Sequence, residues 1–290
     1  MSEWMPCPAK RTLYEWRCAL SPAPDAPAAP RHDLPALIGE ADLPDRVDLV
    51  WHGVNDRANL RHFLASPVRW GECDVRRDPE GRLALRHDAF EGTADLAPGD
   101  GPARPLTVDE FLRVALAEGK GIKLDIKQRD IADELLALVG RSGVPGHDLW
   151  FNGRIDVLRE DGFRRLRRAW PAATVQCPID VLAPAIVAVP DRARAALDEM
   201  AAWGVDRFSL AWDTSPMALL LDHLDRWGHD VNLYAVENLD EFLRAVMLMP
   251  RSVTADFNFP EWHYFGRGAG RDGRYHRYHL EPAPAAADVA

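Results

Sequence analysis

At 290 residues the chain is long enough for one barrel-sized domain or two modest ones, and 47% hydrophobic against 28% charged residues is the balance of a folded globular protein. A formal net charge of −10 argues against a broad nucleic-acid face, which needs net positive charge, while leaving room for one phosphate in a locally positive cleft. No apolar run approaches the roughly 18 residues of a membrane span, and the start Met1-Ser-Glu-Trp-Met-Pro6 lacks the basic-then-apolar layout of a secretory signal, so no transmembrane segment and a cytoplasmic location are expected.

Residues 1–44 read as an extension, in which Leu13 to Leu20 form a short amphipathic piece and Ser21 to Pro30 a proline-rich linker. Cys7 and Cys18 lie there without a second Cys or His pair at zinc spacing. From Val47 the pattern becomes short β-rich runs separated by helical ones, the signature of parallel βα units. The first run, Val47 to Trp51, precedes a helix through Asn59 to Leu64. The second, Gly71 to Val75, is followed by a turn at Asp78-Pro-Glu-Gly and a small returning strand, Leu83 to His87. A helix opens at Thr107, where Thr-Val-Asp-Glu makes a capping box, and leads to the third strand, Gly121 to Lys127. Five further units follow: helix 130–139 and strand 149–152, helix 160–170 and strand 174–177, helix 191–203 and strand 207–212, helix 217–227 and strand 231–236, helix 240–249 and strand 252–256. Eight such units predict an α/β fold, a TIM (β/α)8 barrel, over residues 45–265. A doubly wound open sheet is the alternative, but no glycine-rich phosphate turn follows the first strand. Residues 266–290 read as a partly disordered tail, and Cys73 and Cys177, both in strands, as reduced core residues.

Reacting groups in such a barrel sit at the C-terminal ends of the strands and in the loops after them. His52 follows the first strand, Glu72 and Asp74 share one face of the second, and His87 lies in the excursion beyond. Two carboxylates side by side in a partly buried site repel, whereas a divalent cation between them lets both stay ionised. The third strand brings Lys123, Asp125 and Lys127 onto one face, where inward charges need partners or a metal. Asp125 is thus a third candidate ligand, and Lys127, with Lys123, a candidate contact for an anionic substrate. Hard oxygen donors suit Mg²⁺ or Ca²⁺ better than Zn²⁺. The flanking imidazoles of His52 and His87 then point to acid–base chemistry on something anionic.

His52-Gly53, Asn55, Glu72-Cys-Asp74, His87-Asp88 and Lys-Leu-Asp125-Ile-Lys127 resemble the site of the PLC-like phosphodiesterase superfamily, which includes glycerophosphodiester phosphodiesterases and sphingomyelinase D-type phospholipases. Thr254-Ala-Asp256-Phe-Asn-Phe-Pro260 is similar to the Thr-Asp-x-Pro ending of the former. More closely, Trp51-His-Gly-Val-Asn55, the strand Gly121 to Lys127 and Trp150-Phe-Asn152 resemble the menorin family, a branch of that superfamily. The resemblance spans roughly Val47 to Trp262. It implies a TIM barrel with Glu72, Asp74 and Asp125 on one divalent cation, His52 and His87 as the acid–base pair, and a small phosphodiester or lysophospholipid-like substrate. It departs from the glycerophosphodiesterases at Gly53, where they carry Arg, and at Asp125, where many carry Glu.

Plainer readings stand beside these. Lys123 and Lys127 could simply neutralise Asp125; Asn152 could orient substrate or satisfy a loop backbone. Asn55 is expected to cap the helix after it. Trp212 and Tyr234 could wall the pocket or belong to the core. Arg164, Arg165, Arg167 and Arg168 are expected on a solvated helix face, and the remaining histidines on the surface or satisfied in the core. Two other function classes are open: a non-catalytic, menorin-like recognition module, and a metal-dependent lyase or aldolase, which would not require the paired histidines.

Overall fold

The computed structural model describes residues 46–66, 68–90, 105–236, 239–255, 257–258, 263–269 and 275–280. The expected extension, Cys7, Cys18, Asp256 and Pro260 lie outside them. In order, the barrel is built from β1 (Asp48–Trp51), α1 (Arg57–Ala65), β2 (Trp70–Arg77), β3 (Leu83–Leu85), α2 (Val108–Ala117), β4 (Gly121–Ile126), α3 (Ala132–Ser142), β5 (Leu149–Gly153), α4 (Ile155–Ala169), β6 (Thr174–Pro178), α5 (Ala183–Ala188), α6 (Pro190–Ala202), β7 (Arg207–Ala211), α7 (Met217–Arg226), β8 (Asp230–Val236), α8 (Leu239–Met247) and β9 (Ser252–Ala255). All of these strands except β3 are parallel, and β1 pairs with both β9 and β2, which closes the barrel as expected. β3 hangs antiparallel on the far end of β2.

The helices follow from apolar spacing. In α2, Val108, Phe111, Leu112 and Ala115 make one buried stripe at helical period. Thr107 caps it by accepting from the Glu110 N–H at 3.2 Å, while the Glu110 carboxylate, the other half of the expected box, pairs with Arg57 at 2.8 Å. The helices pack on the outward faces of the strands, where residues such as Trp51, Cys73, Leu124, Phe151 and Leu233 join one large core. Cys73 and Cys177 are free and buried, as the strands around them imply.

The inside of the barrel is different. Such barrels are usually filled by branched apolar side chains, yet here the inward apolar group is small, Val50, Trp70 and Trp150. Most other inward positions are polar and buried, among them Glu72, Lys123, Asn152, Arg207 and Asn232. Trp150 lies between two cations, with Lys123 Nζ 4.5 Å and Arg207 Cζ 4.3 Å from its ring. The Trp70 ring lies against Gly121, where a Cβ would come within 2.6 Å of it, so that strand position requires glycine.

Two helical features depart from expectation. The helix expected from Glu160 begins at Ile155, and Arg159 (φ 54°, ψ 178°) interrupts it, so Glu160 opens its regular part. The helix α5 fell where no element was expected, because Pro184 and an unpatterned apolar run hid it; proline is tolerated in the first helical turn. Beyond the barrel, β10 (Phe257–Asn258), β11 (His263–Ala269) and β12 (Tyr275–Leu280) form a small antiparallel sheet. Part of the segment read as a tail is therefore regular backbone.

Candidate active site

The register of β2 and β4 sets Asp74 opposite Asp125 and Glu72 opposite Lys123. Glu72, Asp74 and Asp125 are all buried, and one carboxylate oxygen from each lies within 4.8 Å of the others. The segment after β1 clamps two of them. Gly53 takes a left-handed conformation (φ 64°), which glycine adopts without strain, and its N–H donates to Glu72 Oε2 at 2.7 Å. Asn55 Nδ2 donates to Asp74 Oδ2 at 2.5 Å, and the Asp74 N–H donates to Asn55 Oδ1 at 2.8 Å. The expectation that Asn55 caps α1 is thereby corrected. Asp56 does so, its Oδ1 accepting from the Asn59 N–H at 2.8 Å, because it directly precedes the first helical residue.

Lys127 bridges the carboxylates, with Nζ 2.9 Å from Asp74 Oδ1 and hydrogen-bonded to Asp125 Oδ2. Burial works against its charge, but Asp125 and Asp74 prevail and hold its ammonium well above the usual lysine range. Burial would likewise raise Asp74, yet Lys127, His87 and His52 hold its carboxyl below the usual range. Glu72 moves the opposite way, pushed up by burial and then by Asp74.

Lys123 takes another course. It is 2% exposed, and its Nζ donates to Thr254 Oγ1 at 2.9 Å, beneath the carboxylates in the barrel interior. Burial pulls it down to about 8, against the opposing charges of Glu72 and Asp125. The structure thus directs the Lys123 ammonium into the barrel rather than toward a cleft. Asn152 lies beside Asp125 in register, and its Oδ1 accepts from Gln176 Nε2 at 2.8 Å, so its partner is a side chain rather than a loop backbone. Trp212 packs against the core, and Tyr234 Oη donates to Asp180 Oδ2 at 2.7 Å.

His52 comes to the carboxylates, and His87 follows the strand that returns along β2. The His52 N–H donates to the Ala255 carbonyl at 3.1 Å, which fixes the end of β1, and its Nε2 stands 3.7 Å from Glu72 Oε2. After β3 the chain runs back along β2, and the Arg86 N–H donates to the Asp74 carbonyl at 2.9 Å. His87 follows, and its Nδ1 is 3.0 Å from Asp88 Oδ1, which fixes the orientation of the ring. Arg76 was not singled out from the sequence. It shares the face of Glu72 and Asp74, two residues further toward the mouth, so the period of two along β2 was the available signal. Its Nε donates to the His87 carbonyl at 2.8 Å. Burial pulls the guanidinium down, against the charges of Asp74, Asp88 and Asp125.

The donor set fits a hard divalent cation. Oxygens within 4.8 Å of one another can share an ion at ligand distances of roughly 2.0 to 2.6 Å, with the remaining positions taken by water or substrate. Neither a cysteine nor a histidine is among the three candidate donors.

Solved structures share this architecture. Several of them are named as glycerophosphodiester phosphodiesterases. One from Parabacteroides distasonis is 14% identical, with a TM-score of 0.56 over 73% of this chain and 93% of that chain. A phosphodiesterase from Oleispira antarctica, solved in complex with the product sn-glycerol-3-phosphate, is 15% identical, with a TM-score of 0.56 over 74% of this chain and 94% of that one. A glycerophosphodiester phosphodiesterase from Agrobacterium tumefaciens is 15% identical, with a TM-score of 0.51 over 72% and 96%. At these identities the likeness carries the fold. No protein-family model matches this sequence, and no curated protein sequence does either. Among the described residues, no helix is long and apolar enough to cross a membrane.

Proposed function

We propose that this barrel is a phosphodiesterase that depends on a divalent cation, Mg²⁺ or Ca²⁺, held by Glu72, Asp74 and Asp125. The observation that carries the reading is the buried carboxylate triad at the mouth of the barrel with His52 and His87 beside it. When bound, the cation supplies Lewis-acid stabilisation of the charge that grows on the phosphoryl oxygens. The residues do the rest. His52 takes a proton from the attacking hydroxyl, which belongs to water or to a neighbouring group of the substrate. His87 delivers a proton from Nε2 to the leaving oxygen, its ring held by Asp88 at Nδ1. Lys127, paired with Asp74 and Asp125, bridges the two aspartates and helps hold the Asp74 carboxyl ionised. Lys123 acts from below, as a buried countercharge to Glu72 and Asp125.

The glycerophosphodiesterase fold neighbours support a small phosphodiester as substrate. Within the superfamily, the motifs at Trp51 to Asn55 and Gly121 to Lys127 side with the menorin branch. Turnover of bis(p-nitrophenyl) phosphate, glycerophosphodiesters and lysophospholipids with Mg²⁺, Ca²⁺ or EDTA tests the reading. Wild-type release that EDTA abolishes, and that is lost in Asp74→Ala, His52→Ala and His87→Ala with their melting cooperative, is the expected result. No release from any of these compounds, together with no calorimetric cation binding, would leave a recognition module instead.

A further inference from the structure

Resting on the phosphodiesterase reading, we propose that Arg76 is the residue that grips the substrate's phosphate, and so selects an anionic diester. Three features of the site converge on it. Arg76 stands on the same face of β2 as Glu72 and Asp74, displaced two residues toward the open end of the barrel. That is about 7 Å along an extended chain, the reach at which a ligand on the carboxylate cluster would present its outer oxygens. Its aim is fixed, because Nε donates to the His87 carbonyl at 2.8 Å and thus ties the guanidinium to the loop that carries a candidate proton donor. Its two Nη groups carry no hydrogen bond or ion pair to any described residue.

Lys127 is differently placed. Its ammonium is held by Asp74 and Asp125, so its charge is already matched by the carboxylates it bridges. Arg154, at the end of the neighbouring β5, is similarly taken up by Asp156 at 2.9 Å. The half-buried Arg76 keeps a planar pair of donors in a partly desolvated position, the arrangement that recognises phosphate in a bidentate manner. Because Nε stays on the backbone, the fork engages a ligand without unmaking an internal bond. Such a contact is present in both the bound substrate and the transition state, so its loss falls mainly on KM.

The experiment compares wild type with Arg76→Lys and Arg76→Gln, using bis(p-nitrophenyl) phosphate for kinetics and inorganic phosphate as a calorimetric probe, each with and without Mg²⁺. For Arg76→Gln the expected result is KM raised roughly tenfold or more with kcat within about threefold, and phosphate binding weakened to match. Arg76→Lys should fall between, since it keeps the charge and loses the fork. Wild-type turnover with KM and phosphate affinity unchanged in Arg76→Gln overturns the inference and leaves the phosphodiesterase reading intact. A fall in kcat with a displaced pH–rate profile and unchanged KM also overturns it, since Arg76 would then act by positioning His87. Absence of wild-type turnover on every diester removes the reading and the inference together.

Discussion

Replacing Asn55 by alanine should weaken cation binding far more than it weakens the fold, and the neighbouring Asp56 should behave in the reverse way. Asn55 exchanges two hydrogen bonds with Asp74, one to the carboxylate at 2.5 Å and one from its backbone N–H at 2.8 Å. A bond to a charged acceptor is worth about 1.5 to 3 kcal/mol and a neutral one about 1, so the pair is worth about 3 kcal/mol, reduced where water reaches the truncated site. The larger consequence is geometric. Without the amide, Asp74 is free to turn its oxygens away from Glu72 and Asp125, and loss of a partner that orients a ligand typically costs 10- to 100-fold in metal affinity. Asp56 caps α1 through the Asn59 N–H, so Asp56→Ala should cost about 1 kcal/mol of stability and leave the cation site alone. Titration calorimetry with Mg²⁺ and Ca²⁺, beside urea unfolding of the same variants, separates the two. If Asn55→Ala binds the cation as wild type does, or Asp56→Ala loses it, the clamp reading is wrong.

The two lysines of β4 should part company in the same way. Lys123→Met is expected to leave KM for a phosphodiester within about twofold, because its ammonium faces Thr254 and Trp150, while Lys127→Met raises KM about tenfold by loosening the Asp74 and Asp125 carboxylates it bridges; steady-state kinetics with melting curves tests this. Asp78 should give the fold an acid-sensitive component. Burial would raise its carboxyl, but hydrogen bonds from Arg82 and from the backbone of Arg82 and Glu80 outweigh it and hold the group below the usual range. A carboxylate depressed in the fold contributes fully above its unfolded pKa of about 3.9 and loses that contribution as pH falls through the lower folded value. The stability gap between wild type and Asp78→Asn should therefore be widest near neutrality and shrink below about pH 4. Equal gaps at pH 7 and pH 3 in urea titrations would contradict the assignment.

Periodicity alone specified the strands of the barrel, their order along the chain and the faces they share. Glu72 with Asp74, and Lys123 with Asp125, had to point the same way, because side chains alternate along a strand. That was enough to anticipate a closed barrel and the cluster at its mouth. Three things needed the folded chain. Whether Asn55 or Asp56 caps α1 depends on where the turn after β1 ends; in the folded chain Asn55 is taken up by Asp74 and the cap falls to Asp56. The roles of Lys123 and Lys127 differ by depth in the barrel, which sequence spacing does not encode; four positions along the chain separate an ammonium on Thr254 from one on Asp74. His87 approaches Asp74 through the antiparallel return of β3, a contact between segments that chain order leaves open. Local pattern fixes what a residue can face, because it follows from backbone geometry. Its partners follow from closure and register, which belong to the whole sheet.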